Sequence, residues 1–215
     1  MFTVVTTLKT GGDYYKGHVY RLAKQVIKHN GGVVKDFVCF SDVDLDPIKT
    51  IPLKNNWPKW WSKLEMFYHD LGKVLNIDLD QTIKKDLTEI DNYDTTDGKF
   101  WGAEDLGAPG TLNNSVMLWE GAIPNIPESF TEDQIPNWQT KGRWVDQGFI
   151  EHKIKDRLNF LPYNIAYHSQ PNYNATRNNN ELVNNTTILI QAGQPKWWIK
   201  PDHSLGTPPP KYQGE

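Results

Sequence analysis

Apolar and polar positions alternate with two distinct periods along the first third of the chain. FTVVTTL (Phe2 to Leu8) is a short β-branched run that predicts a buried strand and leads into the turn residues TGGD. From Tyr14 to His29, Val19, Leu22, Ala23, Val26 and Ile27 recur at helical spacing, and Gly31-Gly32 closes that segment. DFVCFS predicts a second strand. After the loop DVDLDPIKTIPLKNN, Pro58 suits a first helical turn, and Trp61, Leu64, Tyr68 and Leu71 predict one face of a helix ending at Gly72. KVLNID is a third strand. This order predicts an α/β fold: a doubly wound, mostly parallel sheet flanked by helices, with ligands gathering beyond the carboxyl ends of the strands.

The second half is less periodic. NSVMLWE (Asn114 to Glu120) and TTILIQA (Thr186 to Ala192) predict strands, and WVDQGFIEHKI (Trp144 to Ile154) a short helix. The rest reads as polar loop, rich in Pro, Asn and Gln over 121–140 and 169–185. We expect one domain over 1–200 and an extended tail over 201–215, where PPP falls at 208–210.

Composition narrows the function. With 23 basic and 26 acidic residues the formal charge is -3, so the chain lacks the basic excess with which nucleic-acid binders neutralise phosphates. The single cysteine, Cys39, sits in an apolar strand and reads as a small core residue in a reducing compartment. No apolar run reaches the ~20 residues of a membrane span, and the start of the chain lacks an export signal. A soluble, cytoplasmic protein is the expectation. Nine tryptophans, several in WPKWW and PKWW, serve core packing or present aromatic faces to sugar rings and bases.

The chemistry concentrates in KVLNIDLDQTI (Lys73 to Ile83). Alternation turns Asp78 and Asp80 to one side at the end of a strand, where two carboxylates repel unless a cation lies between them. Hard oxygen ligands at such a position suit manganese or magnesium bound together with phosphate oxygens. An Asp-x-Asp pair alone is a weak signal. DVDLDP contains two more, through Asp42, Asp44 and Asp46, and reads as a solvated turn.

VLNIDLDQTI resembles the metal-binding segment of GT-A fold glycosyltransferases, especially those related to glycosyltransferase family 8. VVTTLKTGGDYY resembles the family's first strand and nucleoside-binding loop, NNSVMLWE its Asn-containing strand, WVDQGF its Asp-Gln helix start, and ILIQAGQPKWW its C-terminal Gly-x-x-Lys-Pro-Trp segment. The five pieces follow family order across residues 2 to 200.

The resemblance implies a single GT-A domain that moves a sugar from a nucleoside-diphosphate sugar, in the first instance a UDP-sugar, to a carbohydrate or other hydroxyl acceptor with retention. It implies Thr6, Thr7 and Leu8 along the uridine, Tyr14 as the base-stacking ring, and Lys63, Asp78 and Leu79 at the nucleotide. It implies Gly193 and Lys196 at the diphosphate, Asn114 and Ser115 at the donor sugar, Asp146 and Gln147 at the reacting carbon, and manganese or magnesium on Asp78 and Asp80.

Two departures stand out. Where the family carries a histidine as third metal ligand, this chain has Ile190 or Ala192, so diphosphate and water complete the shell, or Gln191, His168, Asp202 or His203 substitutes. Trp197 stands where proline is common. The rival classes are a sugar nucleotidyltransferase, a non-catalytic carbohydrate-binding protein and a metal-dependent phosphoesterase. The first wants a Gly-rich basic phosphate loop, to which TLKTGGDYYKG is a faint match, and the last wants more His and Asp ligands.

Overall fold

The computed structural model describes residues 1–140, 145–169 and 179–191. Strands β1 (Phe2–Leu8), β2 (Val34–Ser41), β3 (Lys49–Pro52) and β4 (Lys73–Ile77) pair in parallel, in the order β3-β2-β1-β4. The two-residue strand β5 (Thr82–Ile83) follows the Asp-x-Asp segment. Beyond β4 the large sheet continues through β7 (Leu112–Glu120), β6 (Phe100–Glu104) and β8 (Leu158–Phe160). β7 runs antiparallel to both β4 and β6, while β6 and β8 are parallel. A small second sheet joins β5, β10 (Ile188–Gln191) and β9 (Ala166–Ser169).

Because β7 reverses direction, its first residues lie at the same edge as the carboxyl ends of β1, β4 and β6. The expected mostly parallel sheet is present, and this reversal brings Asn113, Asn114 and Ser115 alongside Asp78, whose N–H donates to the Ser115 carbonyl at 2.9 Å.

Helix α1 (Lys16–Lys28) covers one face of the sheet with Val19, Leu22, Ala23 and Val26. Ile27, expected on that face, is exposed instead, because it lies about 100° round the helix from Val26 and past the edge of the buried stripe. The opposite face carries short helices: α2 (Asn125–Glu128), α3 (Ile135–Thr140) and α4 (Val145–Ile154), while α5 (Asn180–Asn185) precedes β10. Cys39 is fully buried and its thiol is pushed up to about 12 by that burial, as fits a core residue. Among the described residues no helix is long and apolar enough to cross a membrane.

The segment after Pro58 departs from the sequence expectation. It forms a 3-10 helix over Lys59–Tyr68, in which residues three apart eclipse one another. Trp61, Leu64 and Phe67 therefore make one apolar column, joined in the core by Met66, and Tyr68, expected on it, falls one position off and is exposed. Trp61 stacks on Phe130 at 4.5 Å between centroids and meets Phe149 edge-on at 6.0 Å. Glu65, in another column, accepts the N–H groups of Lys54 and Asn55 at 2.7 and 2.9 Å. β3, β6, β8 and β9 lie in stretches expected as loop. They are short, and three of them sit where polar residues interrupt the apolar period.

Trp61→Ala removes the ring that joins this helix to Phe130 and Phe149, and should cost about 3–5 kcal/mol. Urea denaturation measures it. A loss below about 1 kcal/mol would show that the neighbouring rings close over the gap.

Candidate functional site

Beyond the carboxyl edge, two buried carboxylates, Asp80 and Asp146, and the partly exposed Asp78 gather near one ammonium. Lys63 Nζ lies 2.8 Å from the Asp78 carboxylate, 3.8 Å from Asp146 Oδ2, and donates to the Asn114 carbonyl at 3.4 Å. The family-8 resemblance implied this lysine at the nucleotide. Tertiary folding makes it a buried side chain only 6% exposed. Burial pulls its pKa down, but Asp78 and Asp146 more than offset that, so the net shift is upward and the ammonium stays charged.

Asp78 stays above the ordinary carboxylate range, because burial and the charge of Asp80 outweigh Lys63. Asp146 is pushed up to about 6 by burial, with Lys63 and the Asn114 amide pulling the other way and Asp78 adding to the rise. Its Oδ2 accepts from Asn114 Nδ2 at 2.6 Å. Asp146 lies in the first turn of α4, where the helix dipole favours negative charge. The residue before it, Val145, has φ of 45°, which a β-branched side chain rarely adopts. Strain is thus stored where α4 enters the site.

Gln147 is fixed in orientation. Its Nε2 donates to Asp105 Oδ2 at 3.1 Å, which leaves Oε1 as the atom facing the Asn114 N–H at 3.4 Å. Asp105 in turn receives the Gly107 N–H at 2.7 Å and lies 3.4 Å from His168 Nδ1. Burial pushes the Asp105 carboxyl up, but its contacts with His168, Gln147 and Gly107 outweigh it and hold the group below the usual range. His168 Nδ1 also meets the Leu106 N–H at 3.3 Å and Asn113 Nδ2 at 3.5 Å. Asp105, Asn113 and His168 were not singled out as a cluster by the sequence. Asp105 lies in a segment read as loop, and a single Asp there carries no signal until β6 brings it level with β4.

Asp80 is held from a different side. Tyr14 Oη donates to its Oδ2 at 2.9 Å, and the Gln81 amide donates to its Oδ1. Gln81 Oε1 accepts the Gln191 N–H at 2.8 Å, and Gln191 Oε1 accepts from Thr82 Oγ1 at 2.9 Å. Gln191, weighed as a third metal ligand, thus acts one step removed, by orienting the residue that braces Asp80. His168, weighed for the same place, faces Asp105. Arg21 of α1 donates to the carbonyls of Leu79 at 2.7 Å and Gln81 at 2.9 Å, closing the carboxylate loop from below.

Tyr14, expected as a stacking ring, spends its hydroxyl on Asp80, and burial together with the nearby Asp80 and Asp78 charges raises its pKa well above the ordinary value. Thr6 and Thr7 stand near the end of β1 with hydroxyls that have no hydrogen-bond partner among the described residues. Leu8 and Leu79 turn their side chains into the core, leaving their backbone to the site. Ser115 is partly buried beside Asn114, and its N–H is taken by Asn113 Oδ1 at 3.0 Å. Gly193 and Lys196, with Ala192, Trp197, Asp202, His203 and the tail, lie outside the described residues. Asp42 accepts the Thr10 N–H at 2.9 Å and its hydroxyl at 2.7 Å, and so braces a turn, as expected for DVDLDP.

A divalent cation fits the donor set. Asp78 and Asp80 supply hard oxygens from one loop, and burial, with the Asp80 charge adding to it, raises the Asp78 pKa in spite of Lys63. Among the described residues no third His, Cys, Asp or Glu joins them.

No family model and no curated protein matches the chain in sequence. Solved structures do match in fold. The galactosyltransferase LgtC, in complex with donor and acceptor sugar analogs, superimposes with a TM-score of 0.66 over 94% of this chain and 91% of its own, at 14% identity. The glycosyltransferase GlyE of Streptococcus pneumoniae gives 0.67 over 92% of this chain at 16% identity, and this chain spans 57% of it. A glycosyltransferase involved in the glycosylation of the major capsid of PBCV-1 gives 0.51 at 11% identity, over 89% of this chain and 94% of its own. The chain therefore has the GT-A fold of glycosyltransferases.

The raised pKa of Asp146 has a signed consequence for stability. Between the ordinary carboxyl value near ~4 and about 6, the folded protein holds a proton that the unfolded chain has released, so stability falls as pH rises through that window. Asp146→Asn should stabilise the ligand-free protein at pH 7.5 by on the order of 2 kcal/mol, with the gain vanishing near pH 4. Urea midpoints at the two pH values measure this, and a variant less stable than wild type at pH 7.5 contradicts the assignment.

Proposed function

We propose that this protein is a metal-dependent glycosyltransferase that takes a sugar from a nucleoside-diphosphate sugar, with UDP as the expected carrier, and passes it to a hydroxyl acceptor. The observation that carries the reading is the meeting of Lys63, Asp78, Asp80, Asn114, Asp146 and Gln147 at one sheet edge, in the fold of known sugar transferases.

Each residue has a chemical task. Asp78 and Asp80 would hold manganese or magnesium, and the cation, when bound, stabilises charge gathering on the diphosphate leaving group. Lys63 keeps Asp78 ionised and aimed. Thr6, Thr7, the backbone of Leu8 and Leu79, and Tyr14 line the nucleoside side, with Gly193 and Lys196 assigned to the diphosphate by the family-8 resemblance. Asn114 and Ser115 face the donor sugar.

Gln147 supplies the polar group nearest the reacting carbon. Its amide is locked by Asp105, so Oε1 is presented without reorganisation, and a preorganised dipole is worth most where charge develops. A neutral amide stabilises positive charge at the anomeric carbon without removing a proton from the acceptor. That is consistent with the retention that the resemblance implies. Asp146, held by Asn114 and Lys63, accepts a sugar hydroxyl from the same side. Alignment of donor and acceptor in one cleft supplies much of the remaining rate.

Calorimetric titration of UDP, GDP, CDP and ADP, each with manganese and with chelator, tests the reading. UDP should bind in manganese and lose at least about tenfold in affinity in chelator, and Asp80→Asn should reproduce the chelator result. Binding that ignores both the metal and the variant defeats the proposal. Release of pyrophosphate from UTP and a sugar phosphate would identify a nucleotidyltransferase instead.

A further inference from the structure

We propose that Trp60 is the acceptor platform of this site, an indole on which a pyranose ring of a carbohydrate acceptor lies flat. The proposal rests on the sugar-transfer reading and adds the chemical class of the acceptor, a glycan in place of a protein or lipid hydroxyl.

The placement follows from the 3-10 helix over Lys59–Tyr68. With three residues per turn, positions i and i+3 lie on one side. Trp61, Leu64 and Phe67 form one column in the apolar core, and Met66 is buried in the same cluster. Trp60, Lys63 and Met66 share a second column, which runs from solvent at Trp60 past the Lys63 head into the core at Met66. Lys63 reaches Asp78 and Asp146, so Trp60 stands one turn, about 6 Å, toward the helix start on the side that faces the reaction centre. Helical side chains lean toward the N-terminus, which brings the Lys63 head still closer to the turn that carries Trp60.

Burial sets Trp60 apart from its neighbours. Trp57 and Trp61 are 9% and 2% exposed, whereas Trp60 is 46% exposed. Core packing therefore accounts for the first two and leaves the third without a structural task. Among the described residues no aromatic ring packs against it. The Lys59 ammonium lies over the indole at 5.4 Å from the centroid, which restrains the ring at one face. Lys59 itself has φ of 52°, in the left-handed region, and its carbonyl accepts the Ser62 hydroxyl at 2.7 Å. A strained, braced turn is thus used to present a large apolar ring to solvent.

The chemistry selects the occupant. One face of a pyranose carries C–H groups that pack on an aromatic π-face, and stacking of this kind needs no particular hydrogen-bond pattern. Tyr14 and Asp80 mark the nucleoside side, and Trp60 rises instead from the helix whose Lys63 reaches across to Asp146.

An immobilised glycan panel, probed with the protein in UDP and manganese, tests the proposal. Wild type should capture glycans that share a terminal pyranose. Trp60→Ala should lower that capture roughly tenfold and Trp60→Phe by less, with UDP affinity in manganese and the urea midpoint unchanged in both. Absence of capture by wild type, or equal capture by Trp60→Ala, overturns it. If capture depends on Trp60 while wild type binds no nucleotide in manganese, the sugar platform stands and the transfer reading falls.

Discussion

A single buried ammonium makes the rest of this site possible. Asp78, Asp80 and Asp146 approach one another beyond one sheet edge, and carboxylates drawn together and largely out of water would neutralise by binding protons. Lys63 lies against two of them, and its own burial penalty is offset by their charges. The compensation is incomplete, since both Asp78 and Asp146 remain raised. A site left short of positive charge in this way is suited to a divalent cation and to the positive character that a sugar acquires as its bond to phosphate breaks.

The network also ties separate parts of the chain to one geometry. Asp80 is braced through Gln81 by the backbone of β10, and the loop between them is held by Arg21 of α1. Gln147 is braced through Asp105, which contacts β9 at His168. Both supports come from the small second sheet, so β9 and β10, which contribute no metal ligand among the described residues, still determine where the carboxylates and the amide point. Buried polar chains of this kind act as units, and removal of one member exposes the desolvation cost of the next.

Two aromatic residues show how sharing of side chains alters a sequence reading. Tyr14 has a ring suited to stacking and a hydroxyl suited to a carboxylate, and the structure commits the hydroxyl to Asp80. The WPKWW segment looks uniform, yet a three-residue period sends Trp61 to the core and Trp60 to solvent. A helix of 3.6 residues per turn, which the apolar pattern suggested through Tyr68 and Leu71, distributes those rings differently.

The sequence by itself determined the left half of the sheet and the carboxylate pair. The β-branched runs of β1, β2 and β4 are long enough to declare their period, and VLNIDLDQTI places two acids at a strand end whatever else the fold does. The Asp-Gln start of α4 and the Asn pair of β7 were also legible through their order along the chain. Tertiary structure decided what these residues touch. The reversal of β7, the three-residue period of the 3-10 helix and the arrival of β6 and β9 are set by long-range pairing between short, polar-interrupted segments, and local periodicity holds no record of such pairing. For that reason Lys63 was placed at the nucleotide by resemblance alone and Asp105 read as a loop residue, and only the folded chain makes them partners of Asp78 and Gln147.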